Sequence, residues 1–300
     1  MDSHREQASA FDQRVLDLYD DYVHGRVDRR GFLAGAAQFA VGGTTAAAML
    51  AALVPQYAFA AQVAADDPRI STVYRTFPAP DGHCEGRGLL AMPRGEGRYP
   101  VVLVVHENRG LNLYIEDVAR RLAVAGFIAF APDALYPLGG YPGNDDAGRE
   151  LQATLDRAKV IADIEAAARF AHALPCSTGK LGVVGFCFGG LVTNLLASRL
   201  PDLVDAGVPY YGGQPSADEA ARIKAPLLLH FAELDARVNA GWPAHEQQLK
   251  AAGVAYTAQV YPGVNHGFHN DTTPRYDAAA AALSWQRTLA FFRDHLVRIR

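Results

Sequence analysis

Gly182-Val183-Val184-Gly185-Phe186-Cys187-Phe188-Gly189-Gly190 decides the reading of this 300-residue chain. The stretch has the form G-x-C-x-G and stands between an apolar, β-branched run and a helical pattern over 189–199. A strand that turns straight into a helix forces the residue at the tip into a strained conformation, and flanking glycines let the two elements approach without a Cβ clash. Such an elbow lifts the central side chain above the sheet edge. There it faces a helix N-terminus, which favours thiolate over thiol. Cys187 is therefore the candidate nucleophile.

Short apolar runs alternate with helical stretches outward from this elbow. Strands are expected at 70–77, 88–92, 101–106, 127–131, 181–185, 207–210, 226–231 and 256–261. Helices are expected at 115–125, 146–174, 189–199, 239–252 and 277–293. This alternation predicts an α/β fold, with a mostly parallel sheet of about eight strands and helices on both faces. Ligands then bind beyond the carboxyl ends of the strands. The elbow narrows this to an α/β-hydrolase fold, in which an acid and a histidine follow the nucleophile in chain order.

Asp235 follows the 226–231 run and His266 follows the 256–261 run. The order Cys187, Asp235, His266 suits a nucleophile, an orienting carboxylate and an imidazole base. Glu233 is the alternative to Asp235, and His269 the alternative to His266. His230 falls within a strand and reads as core. His83, His172, His245 and His295 have no constellation around them. Cys84 and Cys176 lack a glycine turn and read as inert. Three cysteines make neither a disulfide framework nor a CxxC pair, and no zinc-spaced His or Asp cluster is present, so no metal and no cofactor is expected.

Half of the residues are hydrophobic, 20% are charged, and the net charge is −4. Those figures exclude a disordered or fibrous chain. No Lys/Arg run suggests a nucleic-acid partner.

Residues 1–60 read as an extension ahead of a body over 61–300. Phe11, Val15, Leu18, Tyr19, Tyr22 and Val23 fall at helical spacing. Residues 31–55 then carry no charge, a length sufficient to span a bilayer but rich in Ala and Gly. Arg29-Arg30-Gly31-Phe32-Leu33, the apolar segment and Ala58-Phe59-Ala60 together resemble a twin-arginine (Tat) export signal. That resemblance implies the Tat machinery as a partner, a periplasmic or secreted location, and no stable membrane insertion after cleavage. Against it, the first 33 residues hold five basic and seven acidic side chains. The alternative is an uncleaved helical extension on a cytoplasmic protein.

The body resembles the dienelactone hydrolase (carboxymethylenebutenolidase) family. The resemblance rests on Val105-His106-Glu107-Asn108-Arg109-Gly110, Gly185-Phe186-Cys187-Phe188-Gly189-Gly190, Asp235 and Asn265-His266-Gly267-Phe268. It implies a carboxylic ester or lactone as a small-molecule substrate, with a thioester on Cys187. Glu107 is implied to contact the resting cysteine and help take up its proton, with a salt bridge to Arg109 as the alternative role. The backbone N–H groups of Asn108 and Phe188 are implied to form the oxyanion hole. Family members that act on dienelactone hold its carboxylate with two arginines. Asn270 stands where one belongs, and the loop 133–141 holds none, which argues for a different substrate. Arg109, Arg275, Tyr136, Tyr141, Tyr210, Tyr211, Trp242 and Asn270 are the candidate pocket residues. Other readings are an inactive exported binding protein on the same fold and a redox-responsive thiol. The sequence leaves the oligomeric state open.

Overall fold

The computed structural model describes residues 7–40, 44–57 and 61–297. Eight strands form one sheet: β1 (Ile70–Ala79), β2 (Cys84–Pro93), β3 (Tyr99–Val105), β4 (Ile128–Pro132), β5 (Ser177–Phe186), β6 (Ala206–Tyr210), β7 (Leu227–Ala232) and β8 (Tyr256–Tyr261). Their spatial order is β1-β2-β4-β3-β5-β6-β7-β8. β1 and β2 run antiparallel at one edge, and β3 to β8 are parallel. The expected α/β-hydrolase architecture is present.

Alternation along each strand splits the core into two layers. Val102 and Val104 of β3 pack into one, and Val101, Leu103 and Val105 into the other. The first layer is covered by α4 (Leu113–Val124) and α11 (Ala278–Leu296). The second is covered by α6 (Arg157–His172) and α7 (Phe188–Arg199), with α10 (Trp242–Ala251) beyond them.

Two expected helices are each divided. The 146–174 pattern is α5 (Asp145–Thr154) followed by α6, because Leu155 and Asp156 are extended and the Asp156 carboxylate accepts from the backbone N–H of Ala158 and Lys159. The 239–252 pattern is split by Gly241 between α9 (Ala236–Asn239) and α10, with a proline in the first turn of α10.

The extension folds as α1 (Gln13–Val23), α2 (Arg29–Ala36) and α3 (Ala46–Leu53). Arg29 and Arg30 open α2, after the Asp28 cap. Tyr19, Tyr22, Phe32, Leu50 and Leu53 bury one another in a small separate core. Ala58-Phe59-Ala60, the expected cleavage motif, lies outside the described residues. Among the described residues no helix is long and apolar enough to cross a membrane. A short helix, α8 (Ala217–Ala220), follows β6.

The extension is fastened to the body by polar contacts. Gln13 Nε2 donates to Asn265 Oδ1 at 2.6 Å, and Tyr22 Oη to Asp146 Oδ2 at 2.7 Å. Asn108 Nδ2 donates to the Val23 carbonyl at 2.7 Å, and the Gln56 N–H to the Thr272 carbonyl at 2.7 Å.

Candidate active site

Cys187 joins β5 to α7 with φ 56° and ψ −110°. A non-glycine residue in that region is strained, and the surroundings must hold it there. Its N–H donates to the Tyr210 carbonyl at 3.1 Å, and its own carbonyl accepts from Gly190 at 3.0 Å. The glycines are needed for close approach. A Cβ on Gly185 would lie 2.0 Å from the Gly189 carbonyl oxygen, and one on Gly189 would lie 2.2 Å from that of Val105. The first turn of α7 has no side-chain cap, so its N–H groups are left to face the site.

Asp235 caps α9 just past β7, donating no proton but accepting from Val238 N–H at 3.1 Å. Its Oδ2 sits 2.6 Å from His266 Nδ1, with both side chains buried. Burial opposes ionisation of Asp235, but the adjacent His266 imidazole overcomes this and holds the carboxyl below its usual range. The alternatives are placed elsewhere. Glu233 accepts from the Gly263 N–H in an exposed turn, and His269 is in the core against Tyr114. His230 is also core, as expected, with its pKa pushed down to about 3 by burial.

Glu107 follows β3 and is buried. Its Oε2 accepts from Asn270 Nδ2 at 2.9 Å. The salt bridge to Arg109 does not form, because Arg109 pairs with Asp145 at 2.5 Å. Arg275 pairs with Asp20 at 3.4 Å and lies over the Tyr19 ring. Of the pocket candidates, Tyr211 is buried with its ring 4.8 Å from that of His266. Tyr136 instead reaches out to Glu85, Tyr141 bonds Asp145, Tyr210 bonds Thr288, and Trp242 packs on Phe231.

A cavity of about 570 Å³ is lined by Asn108 and Phe188, both expected oxyanion donors, and by His24, Gly25, Val27 and Arg149. A second, of about 330 Å³, is lined by Asp235, His266 and Arg237 on one side and by Asp20 on the other. The extension therefore forms a wall of both.

The residue missed by the sequence reading is His24. Its Nε2 lies 3.2 Å from Cys187 Sγ, and its ring meets that of His266 edge-on at 4.9 Å. Its Nδ1 lies 2.7 Å from the Asp20 carbonyl oxygen and 3.2 Å from Asp20 Oδ1. Asp20 in turn pairs with Arg237 at 3.0 Å. A signal was available, since Asp20 and His24 are four apart on one face of the α1 pattern. By sequence that stretch belongs to the extension, with nothing to tie it to the site. His24, Cys187 and His266 each place one ligand atom within 4.8 Å of the others, a donor set of the zinc type. The Arg237 guanidinium lies 3.1 Å from His24 Nε2 and 3.2 Å from His266 Nδ1. That fixed positive charge opposes a cation, and the cluster fits proton chemistry instead.

The model of the Dienelactone hydrolase family matches residues 87–296, and a model described as YqhI-like matches residues 2–41. The chain is 59% identical over 113 residues to the "Putative hydrolase fragment YghX" of Escherichia coli K12, covering 37% of this chain and 97% of that one. It is 34% identical over 235 residues to a "Putative carboxymethylenebutenolidase" of Synechocystis, covering 72% of this chain and 95% of that one. Among solved structures, a putative dienelactone hydrolase from Klebsiella pneumoniae superposes with a TM-score of 0.65 at 29% identity, covering 75% of this chain and 100% of that one.

Proposed function

This chain belongs to the dienelactone hydrolase family and is a hydrolase of that type, and we propose that it cleaves carboxylic esters or lactones through a thioester on Cys187. The observation that carries this reading is the strained Cys187 at the sheet edge with the Asp235–His266 pair beside it. Cys187 thiolate attacks the carbonyl carbon, a C–S bond forms, and the π pair moves to an oxygen held by the N–H groups of Asn108 and Phe188. Collapse breaks the C–O bond, and the alkoxide takes up the proton that the thiol gave to an imidazole. His266, oriented by Asp235, then removes a proton from water, which attacks the thioester. The C–S bond breaks, releasing the acid, and the proton held on His266 passes to the sulfur, which restores the thiol and the neutral imidazole. The contact of Glu107 with the resting cysteine that the resemblance implies is not among the described hydrogen bonds: Glu107 Oε2 is held by Asn270, and the Cys187 sulfur meets His24.

The substrate reading follows the arginines. Arg109 is committed to Asp145 and Asn270 to Glu107, so neither offers a free clamp for a carboxylate. An uncharged ester or lactone suits the site better than dienelactone.

Two readings of residues 1–60 differ in what the working protein contains. Tat export with cleavage after Ala60 removes α1 and His24. Retention keeps them, and the contacts of Gln13, Tyr22, Val23 and Gln56 with the body favour it. The mass of the protein recovered from cytoplasmic and periplasmic fractions separates the two.

The test of the activity is steady-state hydrolysis of short p-nitrophenyl esters by the full chain and by Cys187→Ala. Turnover that disappears in the variant supports the reading. Turnover unchanged by the substitution overturns it. Peroxide oxidation of Cys187 without any esterase activity would favour the redox alternative.

A further inference from the structure

Among the described residues, the hydrogen-bonding partner of the Cys187 sulfur lies outside the hydrolase body. It is His24, at the end of α1, whose Nε2 stands 3.2 Å from Sγ. The buried Nε2 of His266 has no hydrogen-bonding partner in the described structure. Each imidazole has its own carboxylate: Asp235 at 2.6 Å from His266 Nδ1 and Asp20 at 3.2 Å from His24 Nδ1. The two pairs approach Cys187 from different elements and line different cavities. His24 lines the larger one with Asn108 and Phe188, whereas His266 lines the smaller.

We propose that His24, oriented by Asp20, is a further catalytic residue of this enzyme, the group that takes the proton of Cys187 and gives it to the leaving alcohol. This inference rests on the reading of Cys187 as the nucleophile. It assigns to the N-terminal segment a part in the chemistry, beyond forming a wall.

The step balances without any outside reactant. The Cys187 S–H proton moves to His24 Nε2, leaving thiolate and imidazolium as an ion pair. The thiolate pair forms the C–S bond. When the tetrahedral intermediate collapses, the C–O bond breaks and the alkoxide takes the proton from His24. His24 is then neutral, and His266 has not been protonated. His266 is thus free to act as base on the water of the second half, from the other cavity.

The surroundings of His24 fit that task. Asp20 accepts on the Nδ1 side and is itself held by Arg237 and Arg275. A carboxylate fixed in this way sets the tautomer that leaves Nε2 facing sulfur. Arg237 and His266 face the ring from the body, and the Cys187 sulfur lies against its Nε2. Burial alone would push the imidazole toward its neutral form. The Cys187 and Asp20 contacts outweigh burial and His266, and the His24 pKa is raised. Asp28, Arg149 and Glu150 also line the cavity that His24 faces. The sharp chain reversal after the ring is made by Gly25, at φ 73°.

The site has a second possible economy, in which the segment simply plugs a complete enzyme. The two differ in what loss of the imidazole does. A plug removed raises the rates of alkylation and acylation. A base removed lowers both, and shifts their pH dependence.

The experiment uses the full chain with Cys84→Ser and Cys176→Ser, so that alkylation reports Cys187 alone. Iodoacetamide rates are measured from pH 5 to 10, alongside the single-turnover acylation rate with a p-nitrophenyl ester, for the parent, His24→Gln and His24→Gly. In His24→Gln the alkylation rate at pH 7 is expected to fall by about tenfold or more. Acylation at pH 7 is expected to fall by about 10²-fold. Free imidazole is expected to restore part of the His24→Gly rate, which a purely structural role would not allow. An unchanged alkylation profile and acylation rate overturns the proposal, and so does a rate increase. In both cases the parent's Cys187-dependent turnover still stands, so the hydrolase reading fails separately, only when Cys187→Ala retains full activity.

Discussion

Asn270 Nδ2 donates a 2.9 Å hydrogen bond to Glu107 Oε2, linking the loop after His266 to the loop after β3. Asn270 Oδ1 also accepts from Thr272, through its N–H at 3.1 Å and its hydroxyl at 2.6 Å. Both the nitrogen and the oxygen of the amide are therefore engaged inside the protein. Asn270→Ala leaves the buried Glu107 without this donor, and a stability loss of about 1–3 kcal/mol is expected. Urea denaturation at pH 7 measures it, and a midpoint equal to that of the parent would refute the role of Asn270 as a tie.

The same commitments set the expected charge preference. Arg109 is paired with Asp145 in a buried site, and Asn270 is tied to the buried Glu107 carboxylate. An ester carrying a free carboxylate near the scissile bond is expected to have a kcat/KM at least about tenfold below its neutral methyl-ester counterpart, equivalent to about 1.4 kcal/mol. Matched pairs of such substrates make the comparison. Equal or reversed values would mean that another cation holds the acid.

Gly189→Ala is expected to disrupt the elbow. The new Cβ would meet the Val105 carbonyl oxygen at 2.2 Å and the His106 carbonyl oxygen at 2.8 Å. Both are backbone atoms that cannot rotate away, so a cost of about 3 kcal/mol or more is expected. The melting temperature and soluble yield read this directly. Near-native values for both would show that β3 and α7 can separate locally.

Asp20→Ala is expected to loosen the extension. It removes the carboxylate shared by Arg237, Arg275 and Arg26. With a charged hydrogen bond contributing about 1.5–3 kcal/mol, local opening should become about tenfold or more frequent. Hydrogen exchange over α1 and the following turn reports this opening, and unaltered protection there would show that Gln13 and Tyr22 suffice for docking.

Asp235 supplies a pH dependence of known sign. Its folded-state pKa is depressed, so its stabilisation is present above the unfolded value of about 3.9 and lost as pH falls through the lower folded value. The stability difference between the parent and Asp235→Asn is expected to be about 1.5–3 kcal/mol at pH 7. It should narrow as the solution is taken below pH 4. A gap that stays constant or widens in acid would contradict the Asp235–His266 pairing.

Much of the fold was legible because it is written in short-range pattern. The β-branched run of β3, the alternation of strand and helix, and the glycines around Cys187 each act over a few residues. The order Cys187, Asp235, His266 follows from the same strands, since each residue falls in a loop at a strand's carboxyl end. Where the reading fell short, the deciding signal was a single local competitor. Asp156 capping α6 outweighed the helical pattern across 146–174, and Gly241 did the same across 239–252. The aromatic candidates carried two readings, pocket lining or ordinary packing, and the sequence could not separate them. Tyr136, Tyr141 and Trp242 have no periodicity that distinguishes a site-facing ring from one that pairs with Glu85, Asp145 or Phe231.

The sequence by itself determined the α/β class and the elbow with Cys187 at its tip, because backbone sterics and burial of apolar faces act on neighbouring residues. The tertiary structure alone decided what stands against the Cys187 sulfur. Glu107 meets Asn270 across 163 residues of chain, and His24 meets Cys187 across the same separation. Neither contact has a local signature. Each exists because the sheet brings its loop ends to one edge, and because α1 is held over that edge by charges and hydrogen bonds distributed along the whole chain.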